Sequence, residues 1–245
     1  MRKFLTALGF LTIIPVKYSL KSEEEFASSM VYFPVIGLLI GISLLFANFL
    51  LIFMFSKIIV DVLILIVLIV LTGGLHIDGF ADTCDGFFSS RSKEGILNIM
   101  KDSRIGVMGL VGIISIILIK FASIHSLNNE AKSYALLLAP TISRCSMVVI
   151  TSISTYSREG LGKLYIEHIN KKIGIISGLI TVAVIILVSY LLRRWRGILL
   201  VPVVYLIVLL ISSYSKKKIG GITGDVIGAT GEFIETTCFL LLAIK

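Results

Sequence analysis

IIVDVLILIVLIVLTGGLHIDGFADTCDGF, residues 58–87, is the stretch whose reading decides how this chain is built. Its first part, 58–75, is apolar almost throughout and close to the ~20 residues a helix needs to cross hydrocarbon. Its second part, 73–87, holds three of the chain's six aspartates, Asp78, Asp82 and Asp85. Spacings of four, three and seven place these carboxylates on one face if the segment is helical. Three anions so close repel one another and lose solvation beside lipid, so the pattern makes best sense with divalent metal ions between them. Gly73, Gly74, Gly79 and Gly86 interrupt the run and suit close approach of a ligand or a partner helix.

The rest of the sequence agrees with a membrane reading. Hydrophobic residues make up 56% of the 245 and charged residues 16%, where a soluble domain carries roughly a quarter charged. Seven candidate spans follow, at about 31–54, 58–75, 105–124, 134–151, 173–192, 198–214 and 226–244. The weakest are 198–214, which contains Pro202, and the last, which contains Glu232. Residues 4–16 are apolar but too short to span and read as an interfacial or re-entrant helix. The expected fold is therefore an all-α polytopic bundle forming one domain over residues 1–245. Gly37 with Gly41, and Gly174 with Gly178, are spaced for close helix contact. Three scattered cysteines, Cys84, Cys145 and Cys238, provide neither a disulfide framework nor a zinc spacing.

The net charge of +8 is explained by orientation. Basic residues fall at Arg2, Lys3, Lys17 and Lys21 and in the 76–104, 152–172 and 215–225 connections, all on one side of such a bundle. Positive-inside bias makes that side cytoplasmic, although Arg193, Arg194 and Arg196 break the rule. No basic stripe interleaved with aromatics is present, so nucleic acid is not an expected partner.

Two further polar clusters stand out. In KDSRIG, residues 101–106, Asp102 suits a further metal contact, while Lys101 and Arg104 suit phosphate oxygens; a cap on the following helix is the plainer reading. In GGITGDVIGATGEFIE, residues 220–235, Asp225 and Glu232 share a helical face with Gly224, Gly228 and Gly231 beside them. That segment suits a phosphate or nucleotide cradle at a helix N-terminus, although it matches neither a Walker A nor a dinucleotide motif. Arg144, inside the fourth span, calls for an anionic partner, either an acidic cluster or substrate phosphate. His76 suits a structural role more than hydrogen bonding to substrate or to a metal-holding carboxylate, and Arg158, Glu159 and Lys163 form a connection that suits either a cover over the site or a solvated loop. Asp61 starts the second span at the opposite side, and His125 and His168 carry no recognisable pattern.

Carboxylates at one membrane edge, accompanied by Lys and Arg, suit phosphoryl or nucleotidyl transfer with two metal ions polarising a diphosphate. A transporter of a phosphorylated or cationic solute is the competing class, weakened because the acids cluster at one edge with few mid-bilayer and because no convincing inverted repeat is present.

These residues also carry a resemblance. FLTIIPV (10–16), FPVIGLLIG (33–41), GGLHIDGFADTCDGF (73–87), KDSRIGVMG (101–109) and GGITGDVIGATGEFIE (220–235) together closely resemble the cobalamin synthase family of bacterial and archaeal cytoplasmic membranes. The resemblance covers essentially the whole chain. It implies the joining of adenosylcobinamide-GDP to alpha-ribazole or its 5'-phosphate, with release of GMP and dependence on Mg²⁺, at a site facing the cytoplasm. It makes Asp78, Asp82 and Asp85 the leading magnesium ligands with Asp102 as a contributor. Lys101, Arg104 and Arg144 would neutralise the diphosphate, and Asp225 with Glu232 and Gly224 would complete the nucleotide or metal pocket. Monomer and homodimer are both compatible with the sequence. The family is loosely similar to CDP-alcohol phosphotransferases, whose longer DGxxAR pattern is absent here.

Overall fold

The apolar run that begins at residue 58 does not continue straight into the aspartates. In the computed structural model, which describes residues 1–16, 23–157, 169 and 171–244, it breaks at 72–74 and turns by 89°. Gly73 and Gly74 both take left-handed backbone conformations there (φ 64° and 68°), which a side chain would strain. The break separates α4 (Lys57–Leu71) from α5 (Leu75–Phe87), so the three aspartates ride on a helix of their own.

The other elements are α1 (Arg2–Leu11), α2 (Glu23–Ser29), α3 (Phe33–Leu51), α6 (Lys93–Ile99), α7 (Val107–Ser126), α8 (Asn129–Ile153), α9 (Lys171–Leu191), α10 (Leu200–Ile219) and α11 (Gly224–Leu242). Short 3-10 turns, Met30–Tyr32 and Arg196–Leu199, lead into α3 and α10. Among the described residues the one strand-like pairing is a bridge between Tyr156 and Ile222, which ties the chain after α8 to the segment opening α11. The all-helical expectation is met. α1, ten residues long, is too short to span, as expected of an N-terminal interfacial segment.

Seven spans are not reached. Five described helices are long and apolar enough to cross a membrane, or six if the bent α4–α5 pair counts as one. The difference lies in α11, whose 19 residues include Asp225, Glu232 and Glu235 and are buried on nearly every side. It is a polar-cored central helix rather than a lipid-facing one.

α8 is the other central element, buried along most of its length, and α3, α9, α10 and α11 pack around it. Gly37 and Gly41 of α3 lie against the α8 backbone, where an added Cβ would sit 2.5 Å from the Pro140 carbonyl oxygen and 2.6 Å from that of Leu136. This contact brings two backbones together as small-residue packing in membranes does. The second glycine pair behaves differently: Gly174 touches Ser152, and Gly178 faces open space. Large apolar side chains such as Phe46, Phe49, Leu118 and Leu187 are exposed around the bundle, on surfaces suited to lipid.

The long helices alternate in direction, which sorts the loops to two ends. One end collects the start of α7, the end of α8 and the start of α11 with the outer half of α5; the other collects the end of α7, the start of α8 and the 192–199 turn.

Candidate active site

α5 is wedged between α11 and α7 at the first of these ends. On one flank, a Cβ at Gly79 would lie 3.0 Å from the Asp225 Cα, and Gly228 sits against His76, so α5 and α11 meet almost backbone to backbone. On the other flank, Gly109 and Gly112 of α7 lie against Ala81, Cys84 and Asp85. Between these flanks, Asp78 and Asp82 occupy the remaining face of α5. Asp78 is exposed and makes no side-chain hydrogen bond or ion pair to a described residue, and Asp82 is half-buried. Asp225 stands across the Gly79 contact in the first turn of α11, where its carboxylate accepts from the Thr223 hydroxyl at 3.3 Å. Thr223 also caps the helix, accepting from the Val226 N–H at 3.3 Å.

The third aspartate of the triplet has a different occupation. Asp85 Oδ2 accepts from the Gly106 N–H at 2.7 Å and Oδ1 from the Gly109 N–H at 2.8 Å. It therefore caps α7 from outside, satisfying two of the N–H groups a helix start leaves unpaired. Shared helical face alone could not reveal this.

The KDSRIG residues turn on themselves. Asp102 accepts from the Arg104 backbone N–H (3.1 Å), from Nε (3.0 Å) and from Nη2 (2.7 Å) of the same side chain. The guanidinium beside Asp102 holds its carboxyl down to about 2 from the usual 3.8. Asp102 does not cap α7, which starts from Gly106. Lys101 and Arg104 are exposed at the aspartate end, in the loop that leads to the Asp85 cap. Gly224 is likewise exposed, at the first position of α11.

Arg144 and Glu232 lie deeper, in a buried charge network. Lys120 of α7 donates to Glu232 at 2.6 Å and Glu235 at 2.7 Å, and Arg144 of α8 donates to Glu235 at 2.6 Å and to the Ser143 hydroxyl at 2.9 Å. Two cations and two anions make it neutral, and none of the four side chains is more than 5% exposed. Arg144 thus finds the anionic partner its depth demanded, in an acidic cluster of the protein. Lys120 and Glu235 were not among the expected site residues. Both had a signal: Lys120 is the lone charge in an apolar span, and Glu235 follows Glu232 by one helical step.

Asp225, Gly228, Glu232 and Glu235 form one face of α11, spaced three, four and three, so the polar column runs about 15 Å inward from the rim. Along it, both ring nitrogens of buried His76 and the Nε and Nη2 atoms of Arg144 have no hydrogen-bond partner among the described residues. Buried donors left this way mark where water or a ligand group enters. Arg158, Glu159, Lys163 and His168 lie outside the described residues, as do Lys17 and Lys21.

No group of three Asp, Glu, His or Cys side chains among the described residues converges to hold a metal ion. The ligand chemistry still suits Mg²⁺, which is usually held by one or two carboxylates with substrate phosphates completing its shell. Asp78 and Asp82 fit that smaller requirement, while Asp85 and Asp102 already accept hydrogen bonds from backbone and guanidinium N–H groups.

Fold and site together define a polytopic helical membrane protein with an acidic, glycine-spaced mouth at one end. The sequence matches the family described as Cobalamin-5-phosphate synthase over residues 3–243, and the chain belongs to that family. It is 37% identical to an adenosylcobinamide-GDP ribazoletransferase of Clostridium acetobutylicum, over 99% of this chain and 95% of the relative. Relatives of the same name in Caldanaerobacter subterraneus subsp. tengcongensis (36%; 100% and 98% covered) and Alkaliphilus oremlandii (39%; 99% and 97% covered) are similarly close. No solved structure matches the chain.

Proposed function

We propose that this protein transfers the adenosylcobinamide phosphate moiety of adenosylcobinamide-GDP to alpha-ribazole, or to its 5'-phosphate, and releases GMP. The near-complete coverage of relatives bearing the ribazoletransferase name supports the reaction. The observation that supports this site is the close approach of α5 to α11, where a Cβ at Gly79, between Asp78 and Asp82 in sequence, would lie 3.0 Å from the Asp225 Cα. A transporter reading gains nothing from the comparisons, and the buried charges along α11 are paired with each other rather than lining an open path.

In this reaction the 3' hydroxyl oxygen of alpha-ribazole attacks the phosphorus that carries the cobinamide and gives up its proton. The phosphoanhydride bond breaks and GMP leaves with the bridging oxygen. Mg²⁺, held by Asp78 and Asp82 together with substrate phosphate oxygens, would supply positive charge where the diphosphate accumulates negative charge. Lys101 and Arg104, exposed at the same end, are placed to attract the anionic substrate. Asp225 and the α11 N-terminus offer the opposing wall, and the Thr223 cap fixes its first turn. The protein would sit in the cytoplasmic membrane with this mouth inward, which the basic 76–104 and 215–225 connections support.

The test is GMP release from adenosylcobinamide-GDP plus alpha-ribazole by protein purified and reconstituted in lipid. Asp78→Asn and Asp82→Asn should each slow it by on the order of 10²-fold or more, the scale expected for losing a charge-stabilising group. Both should weaken Mn²⁺ binding measured by electron paramagnetic resonance, whereas Asp102→Asn should leave Mn²⁺ binding unchanged. Near-normal turnover and Mn²⁺ affinity in the folded Asp78 and Asp82 variants would remove both from the metal site.

A further inference from the structure

The end of the bundle opposite the aspartates carries an unusual turn. α9 closes with the Arg194 N–H donating to the Ser189 carbonyl at 2.9 Å and the Arg193 N–H donating to that of Tyr190 at 3.3 Å. This is the helix stop that normally places glycine in the left-handed position. Here Arg193 holds that position, with φ 50°, as the one non-glycine residue of positive φ among those described. A strained residue kept at such a site points to a use for its side chain.

Arg193, Arg194, Trp195 and Arg196 line a cleft of about 240 Å³ with Tyr134 of α8 at its wall. Arg194 is tethered to Glu130 at 3.1 Å and Arg196 donates to the Ile244 carbonyl, while among the described residues neither the buried Nε of Arg194 nor the exposed Arg193 side chain has a partner. Three arginines face one described carboxylate, Glu130, so the turn is cationic. Trp195 is 54% exposed beside them, as suits a ring at headgroup level.

The same helices hold an apolar groove of about 160 Å³ between α8, α9 and α10, lined by Ile142, Cys145, Gly178, Thr181, Val204 and Tyr205 among others. That volume is comparable to cavities that admit a benzene-sized apolar guest. Its α10 wall begins at Val201, directly after the Arg196–Leu199 turn, and extends to Val208, about 12 Å below Leu200. A cationic cleft at headgroup level with an apolar slot beneath it has the two-part chemistry of a phospholipid.

We propose that the 193–196 turn and the α8–α9–α10 groove form a binding site for one anionic phospholipid, its phosphate held by Arg193 and Arg196 and an acyl chain in the groove. The site lies at the membrane face opposite the aspartates and shares no residue with them, so it stands or falls independently of the proposed reaction.

Lipid retained by the purified protein in native mass spectrometry reads this directly, with phosphatidylglycerol and phosphatidylcholine offered at equal concentration. Wild type should prefer phosphatidylglycerol by roughly 25-fold, two basic side chains near a membrane surface each contributing about fivefold. Arg193→Gln with Arg196→Gln should abolish the preference. Gly178→Leu, whose side chain enters open space, should occupy the groove and weaken both lipids alike. Excess glycerol 3-phosphate should not displace the lipid. Equal retention of the two lipids by wild type, unchanged retention in Gly178→Leu, or displacement by glycerol 3-phosphate would overturn the proposal, the last reducing it to an anion cleft. If the arginine variant does not fold, the wild-type comparison and Gly178→Leu decide.

Discussion

Replacing Glu235 with glutamine would isolate the energetics of the buried network. Glu235 accepts from Lys120 at 2.7 Å and from Arg144 at 2.6 Å, with every participant nearly sealed from solvent. Each contact carries about 6 kcal/mol of Coulomb energy at an effective dielectric constant of about 20, most of it offset by the desolvation of burial. Glutamine keeps the shape but removes the charge, and only one of its two terminal atoms accepts, so either Lys120 or Arg144 meets an NH₂ instead of an oxygen. Whichever it is, the network would carry an unbalanced positive charge. Breaking a buried pair in this way costs about 3–5 kcal/mol, or roughly two to four orders of magnitude in the folded ratio. Adding Arg144→Gln restores neutrality, because Lys120 and Glu232 remain paired at 2.6 Å. The double variant should therefore recover most of the loss. Reversible unfolding by SDS in mixed micelles measures all three proteins. A single variant within about 1 kcal/mol of wild type, or a double variant no better than the single, would refute the balance argued here.

Three other outcomes follow from the geometry. Asp85→Ala should cost about 1–3 kcal/mol in the same unfolding assay, because the Gly106 and Gly109 amides lose the carboxylate that accepts from them. Gly41→Val should cost about 1–3 kcal/mol or more by melting temperature, since its Cβ meets backbone at Leu136 and Leu137 and α3 must move off α8. Because its folded value is depressed, the Asp102–Arg104 pair should be fully formed above pH 3.8 and be lost as pH falls toward about 2. The Asp102 carboxyl carbon shift in NMR reports it; a midpoint at 3.8 or above would contradict the pairing.

Much of this was legible in the residues. Hydropathy reveals the spans because a helix in lipid must satisfy its backbone internally and cover it with apolar side chains. The order of the glycine-flanked acidic motifs identified the family. Periodicity also placed Asp225 and Glu232 on one helical face, and α11 shows them so. Periodicity says nothing about what lies opposite, however. Asp78, Asp82 and Asp85 share a face in sequence, yet the start of α7 claims Asp85 while the mouth keeps Asp78 and Asp82.

The aspartate stretch by itself determined that polar chemistry would sit at a membrane edge, because charge beside hydrocarbon is too costly to be idle. Only the tertiary structure decided how that charge is divided. The left-handed glycines at 73 and 74 turn α5 away from α4, and Gly79 admits α11 to backbone contact. Arg144, Lys120, Glu232 and Glu235, separated by up to 115 positions, become one neutral cluster. Such partnerships depend on which helices touch, and local sequence carries the demand for a counter-charge without naming the residue that meets it.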